Sequence, residues 1–438
     1  MLSKSPNTLL LYLFSGFFFV LAQSCADVQN ENIAPGHEVK SDKQRVVAPD
    51  IPAGDLEQLV SGNTAFALDM YHALVEGAEN DEVFFSPYSI SLALAMTWAG
   101  ARNDTEDQMA STLHFDLGQD RLHPAFNFLD LALMSRGEGA EGQDGDGFRL
   151  NVVNSIWGQD GYEFLDTFLD VLAENYGAGL RLLDFVADPD SCAEIINKWV
   201  EQYTEERIKN LIPPGTISPL TRLVLVNAIY FNAAWANSFE EEDTDTGQFH
   251  TLSGDTIDVA MMHQVYDMNY GEGDGFKALE ILFDGDELSM VLLLPDQGRF
   301  TEVEQALSPE MVDGILSSMD IAQVTVSLPK WKYTSESIRL REILSQMGMP
   351  IAFSDSADFS GMDGKIYLHI SNVVHKAFIS VNEAGTEAAA ATAVIVDGNA
   401  ALPDPKTFNA DRPFIYFIRD IQTGSILFMG RVTAPVAE

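Results

Sequence analysis

Side chains that could perform catalysis are few and poorly spaced in this sequence. It contains no Gly-x-Ser-x-Gly turn for a nucleophilic serine, no His-Glu-x-x-His pair for zinc and no P-loop pattern for phosphate. The segment Met261-Met262-His263 offers one metal-binding side chain, and a single histidine without partners is typical of strand packing. The sequence therefore predicts no enzyme active site, no metal site and no cofactor.

One segment near the C-terminus has a pattern with a different use. Residues 381–394 read Val-Asn-Glu-Ala-Gly-Thr-Glu-Ala-Ala-Ala-Ala-Thr-Ala-Val. Taken alone, a run of alanines favours a surface helix. In an extended chain, one face carries only small or β-branched side chains, those of Thr386, Ala388, Ala390, Thr392 and Val394. Such a strand could enter a crowded sheet because no bulky side chain leads the way.

The elements that would position this segment are helices first and strands later. Apolar residues recur at helical spacing at Phe66, Met70 and Leu74, and the capping pair Ser86-Pro87 predicts the start of a second helix. Further helical patterns cover 164–176 and 192–208, where Cys192 is expected to be a small core residue.

Strand patterns dominate the second half of the chain. Apolar runs and alternating patterns predict strands at 222–231, 288–294, 324–328, 413–418 and 425–429. The first of these is nearly continuous in its apolar residues, as expected of a strand that is buried on both faces. Because no second linker and no internal repeat follow, the sum predicts one α+β domain over residues 56–436.

The charge balance excludes several classes of partner. The 438 residues include 66 acidic and 25 basic side chains, a formal net charge of −41. This charge argues against binding to nucleic acid, to heparin-like polyanions or to an anionic membrane surface.

The N-terminus has the features of an export signal. Lys4 precedes an apolar run from Leu9 to Ala22, which is too short for a convincing membrane span, so residues 1–24 are predicted to be a signal peptide. The run ends in Leu21-Ala22-Gln23-Ser24-Cys25, which resembles a bacterial lipoprotein cleavage box with Cys25 as the lipidated residue. Gln23 departs from that pattern, and ordinary cleavage with an unmodified Cys25 stays open.

These signals predict a secreted, extracellular protein. Residues 25–55 are polar, lack periodicity and contain several prolines, which predicts a flexible tether. A lipid on Cys25 would anchor the chain to the cell envelope, and the predicted contact with a membrane is through that lipid alone.

Several segments resemble those of the serpin family and occur in the family's order. They are Val83–Ile90, Leu225–Phe231, Asp286–Met290, Ser327–Lys330, Glu383–Ala391 and Phe408–Ile418. The resemblance runs from about Leu56 to Pro435. It implies the serpin fold, in which helices pack around a large central sheet, further sheets are present and a reactive-centre loop is exposed.

The resemblance also implies a monomeric inhibitor that is consumed by its target. A protease attacks the loop as a substrate and forms an acyl-enzyme. The cut loop then inserts into the central sheet and carries the protease away before water can release it. The alternative within the family is a non-inhibitory member that acts as a binding module. Small hinge side chains favour the inhibitor, since a bulky or charged residue at Thr386 would stall insertion.

The family's motifs carry over to three groups of residues in this sequence. The hinge of the loop corresponds to Glu383, Gly385, Thr386, Glu387, Ala388, Ala389, Ala390 and Ala391. The group that braces the top of the sheet, called the breach in this family, corresponds to Trp235, Lys330 and Glu383. The polar group under the sheet, called the shutter, corresponds to Ser86, Ser89, Asn227 and His375. A plainly structural interpretation also fits His375 and the Glu383–Lys330 pair, the latter as an exposed ion pair worth under about 1 kcal/mol.

The family spacing places the reactive bond between Asn399 and Ala400. Counting back from Pro413 instead indicates Leu402 as the residue with the scissile carbonyl, and Ala400 and Ala401 are the remaining alternatives. Because the segment carries no Arg or Lys, a trypsin-like target is disfavoured, and an elastase-like or subtilisin-like serine protease is expected. An asparagine-specific cysteine protease is the sharper alternative.

Overall fold

The computed structural model describes residues 36–78, 80–140, 148–386 and 405–436. These residues belong to one compact unit, Pro35–Glu438. The predicted signal peptide and Cys25 lie outside the described residues, as do the loop positions from Glu387 through Leu402. Across the described ranges, no helix is both long enough and apolar enough to cross a membrane.

The helices, numbered in chain order, lie mainly in the first half of the chain. They are α1 (Asp55–Val75), α2 (Pro87–Trp98), α3 (Asn103–Leu113), α4 (Gln119–Met134), α5 (Asp166–Tyr176), α6 (Pro189–Tyr203), α7 (Phe300–Ala306), α8 (Pro309–Ser318), α9 (Arg341–Met347) and α10 (Ser360–Asp363), with 3₁₀ turns at Glu241–Asp243 and Ile351–Phe353. The predicted helices at Phe66–Leu74 and after Ser86 are confirmed as α1 and α2. Ser86 caps α2 by accepting a hydrogen bond from the Ser89 backbone N–H at 3.1 Å.

The strands are concentrated after residue 220, as predicted. They are β1 (His37–Val39), β2 (Val83–Phe85), β3 (Arg149–Gln159), β4 (Leu180–Leu183), β5 (Leu223–Ala234), β6 (Asp245–His250), β7 (Thr256–Gly273), β8 (Phe276–Leu282), β9 (Leu288–Pro295), β10 (Asp320–Pro329), β11 (Trp331–Thr334), β12 (Ile338–Arg339), β13 (Ile370–Asn382), β14 (Gly385–Thr386), β15 (Lys406–Asn409), β16 (Phe414–Asp420) and β17 (Ile426–Val432).

Two sheets organise the described strands. The central sheet has the order β1-β4-β3-β5-β14-β13-β11, with β12 also paired to β13. The second sheet has the order β15-β10-β7-β8-β9-β16-β17-β2, with β6 paired to β7. The predicted hairpin at 413–429 is confirmed as the antiparallel pair β16–β17. The result is an α+β fold with helices packed around a large mixed sheet.

Strand β5 shows why the apolar run forms the middle of the central sheet. All twelve of its residues are buried. Alternate side chains enter two different cores, with Leu225 and Ile229 in the larger one and Val226 and Tyr230 in the one beneath α6. A strand covered on both faces needs apolar residues at most of its positions, and the predicted two-sided burial is confirmed.

Cys192 lies in α6 and is buried in the smaller core, as expected. Burial raises the pKa of its thiol to about 11, so the thiolate is strongly disfavoured at neutral pH.

The segment predicted as a flexible tether, 25–55, differs from that prediction over residues 36–54. His37–Val39 pairs with β4 and adds a strand to the edge of the central sheet. Basic side chains that follow it bind acidic side chains of α4 and α5. Composition alone indicated a tether because the segment has no periodic core face; it is ordered by charge pairing and edge-strand hydrogen bonds.

Candidate functional site: the closed central sheet and its upper end

The central sheet is closed along most of its length and parted at one end. Strands β5 and β13 run parallel and pair directly from Leu223–Ile370 to Tyr230–Phe378. Beyond that point, at the C-terminal ends of both strands, β14 lies between them and pairs antiparallel with each. We call this end the upper end of the sheet.

Strand β14 consists of two hinge residues predicted from the sequence, Gly385 and Thr386. Thr386 is fully buried, and its hydroxyl accepts from the Ala233 N–H at 3.0 Å and donates to the Ala233 carbonyl at 3.2 Å. Gly385 has φ of +146°, and a Cβ there would lie 2.2 Å from the Ala233 carbonyl oxygen. Only glycine fits this close approach. The first step of a strand between β5 and β13 is therefore already formed.

The sequence-predicted brace residues come together at the turn that joins β13 to β14. The Lys330 ammonium lies 2.8 Å from the Glu383 carboxylate, which also accepts from the Thr244 hydroxyl at 2.8 Å. The Glu383 side chain is only 9% exposed, so the pair is not the exposed surface pair considered from the sequence. We call Glu383, Lys330, Thr244 and Trp235 the upper cluster.

The electrostatics of the upper cluster favour an ionised Glu383. Burial opposes ionisation, but hydrogen bonds from Lys330 and Thr244 outweigh it and hold the pKa of the carboxyl below its usual value. The carboxylate therefore anchors the turn at neutral pH.

Trp235 fixes the backbone of the same turn. Its indole N–H donates to the Asn382 carbonyl at 3.0 Å, and its backbone N–H donates to the Ala384 carbonyl at 2.9 Å. The ring stacks on Phe283 with centroids 4.7 Å apart. The turn is held by side chain, ring and backbone together, so the hinge cannot shift without breaking several contacts.

The second predicted group lies lower in the sheet, where β5 and β13 pair directly. His375 on β13 and Asn227 on β5 are register partners, and their side chains hydrogen-bond through Nδ1 and Oδ1. The Ser86 backbone N–H, at the start of α2, donates to His375 Nε2 at 3.2 Å. Asn227 donates to the Ser89 hydroxyl at 2.5 Å. The structure thus brings all four predicted residues together, and all are fully buried.

These contacts specify the protonation state of His375. Nε2 accepts a hydrogen bond, so the proton lies on Nδ1 and is donated to Asn227. Burial lowers the pKa of His375 to about 3, which keeps the ring neutral. A charged ring would carry a second proton on Nε2, which would face the Ser86 N–H donor, so the network depends on the neutral form.

Asn154 on β3 completes this group and was missed from the sequence. It is the register partner of Asn227, and the two amides hydrogen-bond. Its own amide donates to the Ser89 carbonyl at 3.2 Å. The signal that could have identified it is a polar amide inside the alternating segment Leu150–Ile156, where no strand was predicted from the sequence. We call Ser86, Ser89, Asn154, Asn227 and His375 the lower cluster.

The remaining predicted positions divide into two sets. The hinge residues Glu387 through Ala391 and the reactive-bond candidates Asn399, Ala400, Ala401 and Leu402 lie outside the described residues. His263 is described, and its two ring nitrogens lie 2.9 Å from the Ser327 hydroxyl and 3.2 Å from the Asp245 carboxylate. No group of three or more metal-binding side chains occurs among residues the structure describes.

Comparison with known proteins places these features in a family. The model of a family described as serpin (serine protease inhibitor) matches residues 61–435. An uncharacterized serpin-like protein of Thermococcus kodakarensis is 42% identical over 384 residues, which is 87% of each chain. Human leukocyte elastase inhibitor is 39% identical over 390 residues, covering 87% of this chain and all of that protein.

Solved structures include members with other activities. The crystal structure of human thyroxine-binding globulin bound to thyroxine superposes with a TM-score of 0.78 at 28% identity, covering 87% of this chain and all of that one. The shared fold therefore does not by itself decide between an inhibitor and a binding protein.

Proposed function

Because this chain belongs to the serpin family, we propose that it is a suicide-substrate inhibitor that traps a serine protease by inserting its cleaved loop into the central sheet. The observation that carries this proposal is β14. It lies antiparallel to both neighbours at the upper end, while β5 and β13 remain paired in parallel below it. A strand that continued β14 would replace one parallel ladder with two antiparallel ladders, which are somewhat more stable per residue.

The register of β14 indicates what such an insertion would meet. Thr386 lies opposite Val381 and Ala233. Continued without a bulge, the same register would bring Ala388 and Ala390 into the next inward positions and Thr392 between His375 and Asn227. The inserting strand would therefore have to break the His375–Asn227 bond, which makes the lower cluster the barrier within the sheet.

The chemistry of the trap belongs to the protease and is interrupted by the inhibitor. The protease serine oxygen bonds to the Asn399 carbonyl carbon, and the Asn399–Ala400 peptide bond breaks. The proton that the protease histidine took from the serine passes to the new amino group of Ala400. The ester that remains links both proteins. The 14 residues from Thr386 to Asn399 could carry it about 46 Å at roughly 3.3 Å per residue.

Hydrolysis of that ester requires accurate alignment of water and catalytic groups in the protease. Displacement of the reacting atoms by even about 1 Å can cost on the order of 10²-fold in rate. A protease that is dragged along the sheet and pressed against the inhibitor loses this alignment, so the ester persists.

We infer an elastase-like or subtilisin-like serine protease as the target. The segment Asn399-Ala-Ala-Leu402 has no basic residue, so the acidic pocket of a trypsin-like enzyme would be left unpaired. The relative that is 39% identical is named for elastase, which supports this class.

We also propose that the protein is a secreted monomer and that Cys25 carries the lipid that anchors it to the cell envelope. Its charge of −41 makes activation by heparin an unexpected property.

Incubation of the mature protein with elastase, subtilisin, trypsin and an asparaginyl protease tests the proposal. We expect a denaturant-stable adduct on a gel with elastase or subtilisin, and a released peptide whose mass corresponds to residues 400–438. Clean cleavage by every enzyme without an adduct would overturn the proposal and favour a non-inhibitory member that acts as a binding module.

The variant Asn399→Arg provides a matched test of the reactive bond. We expect it to form the adduct with trypsin, which the wild type should not, because arginine would pair with the acidic pocket. If the peptide released from wild type instead begins directly after Ala401 or Leu402, that residue supplies the scissile carbonyl in place of Asn399.

A further inference from the structure

The segment 37–47 crosses the outside of the molecule beside the central sheet, and we call it the N-terminal strap. Its first residues form β1, which pairs antiparallel with β4 through His37–Leu182, Glu38–Arg181 and Val39–Leu180. Because β4 pairs in turn with β3, and β3 with β5, the strap extends the block of strands on one side of the β5–β13 seam.

The next residues bind α5, which lies between β3 and β4 in the chain. Lys40 donates to the Gly177 carbonyl at 3.1 Å, and Lys43 pairs with Glu174 at 2.8 Å. Ser41 hydrogen-bonds to Asp170. The Val46 N–H donates to the Glu174 carbonyl at 2.9 Å. The strap therefore follows α5 through both its backbone and its side chains.

Arg45 connects the strap to a different part of the molecule. Its guanidinium donates to Asn127 at 2.8 Å and lies 2.5 Å from Asp130, both on α4. Asn127 returns a hydrogen bond to the Val46 carbonyl at 2.7 Å. The Asp130 carboxylate also accepts from Tyr88 at 2.9 Å, and Tyr88 lies between Ser86 and Ser89 in the first turn of α2. The strap is thus linked to the helix that carries part of the lower cluster.

The surface beneath the strap is shaped for it by two glycines. A Cβ on Gly179 would lie 2.8 Å from the Val39 carbonyl oxygen, and one on Gly177 would lie 3.2 Å from Arg45 Cδ. Charge complements shape, because Lys40, Lys43 and Arg45 meet carboxylates and a carbonyl on an otherwise strongly acidic protein. The strap therefore occupies a seat formed by its neighbours.

The position of the strap matters when the sheet opens. Accepting a strand between β5 and β13 widens that seam by one strand spacing, about 4.8 Å. The block β5-β3-β4-β1 must then move relative to β13. The strap is bonded to this block through β4 and α5, and it is bonded to α4 through Arg45. Movement of the block relative to α4 would break the Arg45 contacts.

We propose that the N-terminal strap is a brake on sheet opening that slows spontaneous insertion of the uncleaved loop; this rests on the proposed function and adds its regulation. The resting state of such an inhibitor is held kinetically, so a contact that is lost in the opening step controls its lifetime. Arg45 is the positioning residue of the brake, and Gly179 is the seat that keeps the strap in register.

Two variants release the brake in different ways. Arg45→Ala removes the link to α4, and Gly179→Val displaces β1 without altering the strap sequence. Gly179→Val does not strain its own backbone, since its φ lies outside the left-handed region. The matched controls are Arg299→Ala, which removes a partly exposed arginine paired with Asp274 and Glu302, and Gly77→Val, whose Cβ would meet nothing within 4 Å.

Each protein is held at raised temperature without protease, and its conversion to a form with a higher melting temperature is followed by far-UV circular dichroism. We expect Arg45→Ala to convert about fivefold faster than wild type and Gly179→Val at least as fast, with both controls unchanged. Equal conversion of strap variants and controls, including no conversion at all, would overturn the brake. If Gly179→Val does not fold, Gly179→Ala replaces it.

A second measurement separates the two proposals. Adduct formation with elastase or subtilisin before heating reports the proposed function alone. Wild type that forms no adduct contradicts the trapping function, while the conversion rates still decide the strap. Wild type that forms the adduct, combined with unchanged conversion in the strap variants, contradicts only the strap.

Discussion

At the upper end of the central sheet, a buried carboxylate, an ammonium and a tryptophan hold the turn between β13 and β14. In the lower cluster, the same strand β13 is joined to β5 by neutral amide, imidazole and hydroxyl groups that are fully buried. The upper cluster is tied by charge and is partly open to solvent through Lys330, whereas Ser86, Ser89, Asn227 and His375 of the lower cluster are closed to it. The comparison indicates that one end positions the hinge and the other resists its advance.

The difference follows from what each region has to do. A charge-assisted contact can hold a turn at the sheet margin because Lys330 keeps part of its hydration. An ionised group between β5 and β13 would have to be desolvated completely, which is expensive unless it is fully paired. Neutral hydrogen bonds can be exchanged for those of an inserting strand at little net cost, so the lower cluster can act as a reversible barrier.

The largest expected effect comes from placing a charge in β14, the short strand that already lies between β5 and β13. Thr386→Arg would bury a guanidinium where the threonine is fully buried, and we expect the adduct to be reduced by on the order of 10²-fold or more while cleavage continues. Gel densitometry of adduct against cleaved inhibitor measures this partition. Thr386→Ser is the matched control, and an unimpaired Thr386→Arg adduct would show that the hinge does not insert at this point.

Lowering the pH should remove the stabilising contributions of the two clusters in different pH ranges. The folded pKa of His375, about 3, lies below the ordinary 6.5, so the unfolded state binds the extra proton between these values. The contribution of His375 to the free energy of unfolding is fully present above pH 6.5. It falls with decreasing pH by up to about 1.4 kcal/mol per pH unit. Buried His123, whose pKa is also lowered to about 3, adds to the same window.

Glu383 should respond only at lower pH. Its folded pKa lies below the ordinary 4.5, so the stability it provides is present above that value and is lost as pH falls through the folded pKa.

Denaturant unfolding of wild type and His375→Gln across pH 7 to 4 measures how much of the pH dependence of stability comes from His375. A slope that is unchanged by His375→Gln would contradict a neutral, buried His375.

Loss of the central amide should have the next largest effect. Asn227→Ala leaves His375 Nδ1, Asn154 and Ser89 without their shared partner, and we expect about 2–3 kcal/mol of destabilisation. Faster conversion without protease should accompany it, because the seam would lose its barrier. Urea unfolding and heat-induced conversion measure these effects. Asn269→Ala, which removes a partly buried amide in the second sheet, is the control and should leave conversion unchanged.

The smallest expected effect is at the upper cluster. Glu383→Gln removes the charge but keeps an acceptor for Thr244, so we expect about 1–2 kcal/mol of destabilisation, and the effect should shrink at high salt. Urea unfolding at two salt concentrations measures it. The exposed carboxylate of Glu302 offers the control Glu302→Gln, which should change nothing measurable. A larger effect than that of Asn227→Ala would reverse the assigned roles of the two clusters.

The sequence by itself determined the features that depend on near neighbours. The hydroxyl that caps α2 bonds an N–H three residues away, the β16–β17 hairpin closes over a short turn, and β5 is apolar at consecutive positions because both of its faces are covered. Resemblance to a family grouped Ser86, Ser89, Asn227 and His375. The structure brings these residues together, although Ser86 and His375 are almost 300 residues apart in the chain.

The tertiary structure alone decided the features that depend on distant partners. Asn154 is a functional candidate only because strand register places it beside Asn227, and no local pattern encodes that register. Glu383 is buried rather than exposed because the turn folds back against Lys330 and Thr244. The N-terminal strap is ordered because its cations and backbone find acceptors more than 80 residues away, and charge pairing of this kind leaves no periodicity to detect in a sequence.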